Sequence, residues 1–276
     1  MTGGAKAPEK PSWLVRGWWW ALDYAYAARR QLAIVGALGT PGRRRPGPRA
    51  WRSGSDRLAE IILLPGVYEH WTFLRPLGDA LNAAGHRVRV VHGLGTNRRS
   101  IVETSERLGR ALAGRPPSAA GRVLVAHSKG GLIGKHLLVS SGAAAAAAVE
   151  AATGGDPADA AAGASASTGS DAPLGLLGLV AVCTPFHGSR LAGLFVVPSI
   201  REFLPDGETI VMLGRDESVN GRIVSVFGRF DPHIPGGSAL DGATNVMVPA
   251  TGHFRILASP LTHAAVLDGV RMLSTD

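Results

Sequence analysis

The sequence predicts an α/β protein with a mostly parallel central sheet flanked by helices on both faces. Short apolar runs that read as buried strands alternate with longer segments of helical spacing, and such alternation requires crossover connections. A serine sits in a Gly-rich turn between one of these strands and the helix after it. The 276 residues, 45% apolar and 18% charged, are enough for one large core, and the composition excludes a wholly disordered or fibrous chain. A single cysteine, Cys183, excludes an intramolecular disulfide framework and a multi-cysteine metal site.

The net charge of +8 would by itself suggest nucleic acid, but it is unevenly placed. Residues 1–57 carry 11 Lys and Arg against 3 Asp and Glu, while residues 58–276 carry 18 against 18. The body is neutral and its aromatics are not interleaved with basic residues, so no nucleic-acid partner is expected. The basic segment also holds Trp13, Trp18, Trp19, Trp20 and Trp51, five of the six tryptophans, with Tyr24 and Tyr26. These observations divide the chain into a basic, aromatic N-terminal helix with its linker (1–57) and a globular body (58–276).

From Trp18 to Leu38 the N-terminal segment is apolar, but Asp23, Arg29, Arg30 and Gln31 interrupt it before the ~20 residues a membrane span needs. No small-residue cleavage pattern follows it, so export by a secretory signal is not expected and the chain reads as cytoplasmic. Two readings stay open. The helix rests on an anionic membrane surface through residues 13–45, making the protein peripheral at the inner face, or its aromatic side packs on the body. The Gly-, Pro- and Arg-rich run from Pro41 to Ser55 then serves as a linker.

In the body, Glu60 to Leu64 reads as a buried strand ended by Pro65-Gly66, and His70 to Ala84 has helical spacing and stops at Gly85. His86 to Val91 makes a second strand, and Ser100 to Ala113 a helix opened by a capping box of Ser100 and Glu103. Arg122 to Ala126 is a third strand, leading through His127-Ser128-Lys129-Gly130-Gly131 into a helix from Leu132 to about Ser141. Leu176 to Val182, Arg222 to Phe227 and Thr244 to Val248 are later strands, and Pro260 to Met272 is the closing helix. Residues 143–172, almost wholly Ala, Gly, Ser, Thr and Asp, read as a low-complexity insertion, either a surface loop or a lid.

The chemistry concentrates at Ser128. In Ala126-His127-Ser128-Lys129-Gly130 small residues stand two positions before and after a serine at a strand-to-helix turn, the pattern of a nucleophile elbow. The elbow places the hydroxyl at the strand tip and the N–H of Lys129 where an oxyanion would form. Serine needs a base, and on this topology the acid and histidine follow it in the chain. His70, His86 and His92 precede it, His127 is beside it, and His136 and His263 lie within helices. His253, in Gly252-His253-Phe254 just after the last strand, is the candidate base. Asp231, in the loop leaving the next-to-last strand, is the candidate acid, with the turn residue Asp241 as its competitor. The second oxyanion donor should come from Pro65-Gly66-Val67-Tyr68, after the first body strand. The N–H of Val67 fits this role, with Tyr68 beside it in the substrate-binding set.

The set Leu64-Pro65-Gly66-Val67, Ala126-His127-Ser128-Lys129-Gly130-Gly131, Thr184-Pro185-Phe186-His187-Gly188-Ser189 and Asp241-Gly242-Ala243-Thr244-Asn245-Val246 followed by Gly252-His253 resembles bacterial esterases and triacylglycerol lipases of the α/β-hydrolase fold. The resemblance spans residues 58–273. It implies a catalytic triad of Ser128, Asp231 and His253, and Phe186 and His187 lining the substrate pocket. Ala126 stands where glycine is commoner, and Pro65-Gly66 where many members have His-Gly. The expected activity is hydrolysis of carboxylic esters of small molecules or lipids through an acyl-enzyme on Ser128, without metal or organic cofactor. A thioesterase or acyltransferase would use the same residues. An idle hydrolase fold acting as a membrane-surface or partner-binding module is the alternative of a different class.

Overall fold

A computed structural model describes residues 12–37, 48–91, 94, 96–153, 174–194 and 196–275. Six strands form one parallel sheet: β1 (Glu60–Leu64), β2 (Val88–Val90), β3 (Arg122–His127), β4 (Leu176–Val182), β5 (Ile223–Phe230) and β6 (Thr244–Thr251). Their order is β2-β1-β3-β4-β5-β6, so the direction of winding reverses between β1 and β3. At such a switch point the loops leaving two neighbouring strands diverge and open a crevice at their carboxyl ends.

Among the described residues seven α-helices accompany the sheet. They are α1 (Trp13–Ala37), α2 (Arg75–Ala83), α3 (Ile101–Ala113), α4 (Lys129–Thr153), α5 (Pro198–Arg201), α6 (Glu208–Arg215) and α7 (Pro260–Thr275). Alternation along the strands divides the core into two layers. Ile61 and Leu63 of β1, with Val123 and Val125 of β3, face a layer that includes Leu77 and Leu81 of α2 and Val266 and Val270 of α7. Ile62, Leu64 and Leu124 face the other, which includes Leu108 of α3, Leu132 and Ile133 of α4, and Ile210 of α6. At the amino end of the sheet Arg122 is buried against Glu60 (3.1 Å) and donates to the carbonyls of Leu112, Leu174, Arg115 and Pro116. With so many of its donors satisfied, a buried guanidinium is tolerable there.

Several elements differ from the sequence expectation in extent. The segment from His70 begins as a 3₁₀ turn, Trp71–Leu74, before α2. The helix expected from Leu132 to about Ser141 starts at Lys129 and continues to Thr153, through the six alanines. Alanine has the highest helix propensity, and the helix already nucleated upstream propagates through the run. Residues 154–172 of the low-complexity stretch lie outside the described residues, as do 41–47 of the expected linker. Within that linker Arg49–Arg52 form a 3₁₀ turn that drives Trp51 into the core at 2% exposure, its indole N–H donating to Asp79 at 2.8 Å. The strand expected to end at Phe227 runs to Phe230, so Asp231 directly follows it. Ser100 caps α3 by accepting the N–H of Glu103 at 3.1 Å.

No helix among the described residues is long and apolar enough to cross a membrane. Helix α1 lies against the turn Trp71–Leu74 and a 3₁₀ turn at Arg255–Ala258. Both flank the carboxyl end of the sheet. Trp19 meets Phe230, Trp20 stacks on His233 and Tyr24 approaches the same imidazole. Deletion of residues 1–57 is therefore expected to cost at least the ~3–5 kcal/mol of one lost core tryptophan, Trp51. Aggregation or a sharply lowered melting temperature is the expected result. A truncated chain that melts like the intact protein would show these contacts to be dispensable.

Candidate active site

Ser128 stands between β3 and α4 with φ of +52°, a left-handed conformation that a non-glycine residue adopts only where its surroundings enforce it. Those surroundings are close. A Cβ added at Gly130 would lie 2.3 Å from the Leu64 carbonyl oxygen, and one at Gly131 would lie 2.0 Å from Thr184 Oγ1. The turn can thus approach β1 and the loop after β4 only with glycine at both positions. Ala126 is fully buried at the end of β3.

The turn brings Ser128 Oγ to 3.0 Å from His253 Nε2. On the other side of the ring Nδ1 lies 2.8 Å from Asp231 Oδ2. Asp231 Oδ1 accepts the N–H groups of His233 (2.8 Å) and Ile234 (3.1 Å), which holds the carboxylate at the strand end. Asp241, by contrast, is exposed, and its carbonyl accepts the Asn220 amide.

Charge and burial act together on these groups. Burial alone would raise the Asp231 carboxyl, but the His253 charge, the hydrogen bond to it and the His233 N–H outweigh that and hold it down at about 2. For His253 burial opposes the charged form, yet Asp231 and its hydrogen bond, with Glu69 and Asp23, raise the imidazole above its ordinary value. For His233 the Asp231 charge is outweighed. Burial and the neighbouring His253 push it down to about 3, so it is neutral at pH 7.

Val67 follows β1 and Lys129 follows the serine. Neither backbone N–H donates to an acceptor among the described residues, whereas the neighbouring Gly66 and Tyr68 N–H groups are taken by Glu69 Oε2 (2.8 Å) and the Thr96 carbonyl (2.7 Å). Tyr68 is half-buried at φ of +60°, with its hydroxyl 3.1 Å from Ser199 Oγ. The Lys129 side chain turns away, donating to the Arg99 carbonyl (2.6 Å) and Glu202 (2.8 Å). Phe186 is buried at 2% exposure in the layer beneath the site, and His187 is exposed with Nε2 3.2 Å from the Ala239 carbonyl. The fold thus brings Ser128, His253 and Asp231 into hydrogen-bonded contact, and sends Phe186 into the core and His187 to the surface.

Sequence reasoning did not single out three residues around this line. His127, set aside for its position beside Ser128, is fully buried and donates from Nε2 to the His253 carbonyl (2.9 Å). Its Nδ1 lies 2.7 Å from Glu69 Oε1, so Glu69 and His127 join the Gly66 loop to the histidine loop. Asp23, from α1, accepts the N–H of His253. Each depends on contacts between residues 58 or more positions apart, for which local spacing carries no signal.

Cys183, Asp231 and His253 place their donor atoms within 4.8 Å of one another. These donors do not suit a metal ion. His253 Nδ1 and Asp231 Oδ2 are spent on each other, and burial with the nearby Asp231 charge pushes the Cys183 thiol well up, away from the thiolate a metal requires.

No protein-family model matches the chain, and no curated protein matches it. Among solved structures it is similar to a metagenome-derived lipolytic enzyme at a TM-score of 0.52 and 14% identity, with 80% of this chain and 95% of that one covered. It is also similar to a Bacillus licheniformis lipase in mature form (TM-score 0.51, 15% identity, 84% and 99% covered). Lipase B of Aspergillus fumigatus aligns at 0.57 and 16% identity over 84% of this chain and 60% of that one. What these proteins share with the chain is the α/β-hydrolase fold.

Proposed function

We propose that the protein is a serine hydrolase that cleaves carboxylic esters. The observation that carries this reading is the unbroken line from Ser128 Oγ through the His253 ring to Asp231, at 3.0 and 2.8 Å, set on a turn strained at the serine itself. Ser128 Oγ bonds to the ester carbonyl carbon while its proton passes to His253 Nε2. The oxyanion falls to the N–H groups of Val67 and Lys129, and Asp231 stabilises the imidazolium. The intermediate collapses as the C–O bond to the alcohol breaks and His253 returns its proton to the leaving oxygen. A water molecule, deprotonated by His253, then releases the acid from Ser128.

A fluorophosphonate probe is expected to label the intact protein on Ser128, and a p-nitrophenyl ester series of rising acyl length to locate the preferred substrate. Absence of both labelling and hydrolysis would favour the idle binding module. Acyl transfer to an added alcohol or thiol in preference to water would favour the acyltransferase. The outward edge of α1, where Trp13 is 79% and Trp18 63% exposed, supports lipid-surface contact as a second reading. Binding of the intact chain to anionic vesicles tests it.

A further inference from the structure

We propose that Asp23, on the N-terminal helix α1, is a positioning residue for His253, holding the backbone of the histidine loop so that the imidazole stands between Ser128 and Asp231. The proposal rests on the reading of Ser128 and His253 as the reacting pair.

Asp23 is completely buried. A carboxylate in that position is strongly unfavourable unless its oxygens are fully engaged. Among the described residues they are engaged by one turn. Oδ2 accepts the N–H of His253 at 2.9 Å, and Oδ1 accepts those of Phe254 at 2.9 Å and Arg255 at 2.8 Å. Three successive N–H groups converging on an anion form a nest, and bonds to an ionised acceptor are the stronger kind. The loop is shaped around the carboxylate. Gly252 has φ of +99°, and a Cβ there would come within 2.4 Å of Asp23 Oδ1.

The consequence for His253 follows from counting its polar atoms. Its carbonyl accepts from His127, its Nδ1 faces Asp231, its Nε2 faces Ser128, and its N–H is held by Asp23. Without Asp23 the backbone is held on one side only. A displacement of ~1 Å at a reacting group is enough to lose ~10²-fold in rate.

Fastening α1 to the body is not a task that needs this carboxylate alone. Trp19 and Trp20 pack on Phe230 and His233, and the Gln31 amide reaches the Tyr68 carbonyl at 3.4 Å. Asp23 also places a negative charge beside the imidazole. The groups facing that ring are Asp231 and His233 from the loop after β5, Cys183 after β4, His127 at the end of β3, Glu69 after β1, and Asp23 from α1.

The test uses the full chain with Asp23→Ala and Asp23→Asn. Three quantities are measured: the rate and final extent of fluorophosphonate labelling, the NMR titration of the His253 ring, and thermal unfolding. Asp23→Ala is expected to slow labelling ~100-fold while the final extent stays complete. Asp23→Asn should recover part of the rate, because its amide oxygen still accepts from Phe254 and Arg255. In both variants the His253 titration should move to lower pH, a readout that mere anchoring of a helix would not shift. A folded variant that labels at the native rate with an unmoved titration overturns the proposal, and so does unfolding of both variants. An intact protein that takes no probe overturns the hydrolase reading, and a His253 titration that still falls on Asp23→Asn shows that this failure is separate from the action of Asp23 on the His253 ring.

Discussion

Replacing Ser128 by alanine is expected to reduce ester hydrolysis by about 10⁶-fold, to the residual level that binding and the oxyanion donors provide on their own. The stability cost should be small. Among the described residues the hydroxyl's one partner is His253, and a single hydrogen bond contributes ~1 kcal/mol net. The strained φ of +52° is imposed by the close approach at Gly130 and Gly131 and does not depend on the side-chain oxygen. Turnover of a p-nitrophenyl ester and a melting curve on the same preparation check both parts. Activity within a hundredfold of the intact protein would remove Ser128 from the mechanism.

Asp231→Asn is expected to lower turnover ~10⁴-fold, whereas Asp241→Asn should leave it unchanged. The asparagine keeps the shape of the loop and an oxygen for the His233 and Ile234 N–H groups. It cannot stabilise the imidazolium or hold its tautomer. Asp241 is exposed and makes its contact to Asn220 through the main chain, so its carboxylate is free to change. The pH profile supplies an independent check with a definite sign. Because His253 is raised above its ordinary ~6.5, the neutral base accumulates, and the rate rises, at a pH above that value. Removing the Asp231 charge should move that limb to lower pH while the plateau falls. A limb that stays put in Asp231→Asn would mean that another group governs the titration.

The candidate nucleophile and base were legible because the constraints on them are local. A strand tip, a turn too tight for side chains at 130 and 131, and a glycine before the histidine all leave marks within a few residues. Asp231 was legible for the same reason, since it directly follows a strand whose partner precedes His253. Asp23 was not. In sequence it reads as a charge interrupting an aromatic helix, which served to exclude a membrane span, and the three N–H groups that make its burial tolerable come from the far end of the chain. Glu69 and His127 were hidden in the same way, because their pairing exists only once β1 and β3 lie side by side. The alanine run shows a different failure. Its lack of buriable side chains suggested a loose insertion, but up to Thr153 it continues a helix whose first turns are anchored under Ser128.

The bond between Asp23 and His253 spans 230 residues of sequence. Synthesis therefore releases the helix that completes the histidine loop long before the loop itself exists. At translation speeds of ~5–20 residues per second that helix waits of the order of ten seconds or more for its partner. During this interval the aromatic side chains that later cover Phe230 and His233 are without those two partners. Closing so distant a contact is among the last steps open to the chain, because loop entropy is lost before the contact forms. A chain made only as far as β4 and the loop after it is thus expected to hold the partners of the serine turn and yet be inert toward esters. Hydrolysis would begin only when the C-terminal elements have joined the sheet and α1 has folded back across its carboxyl edge.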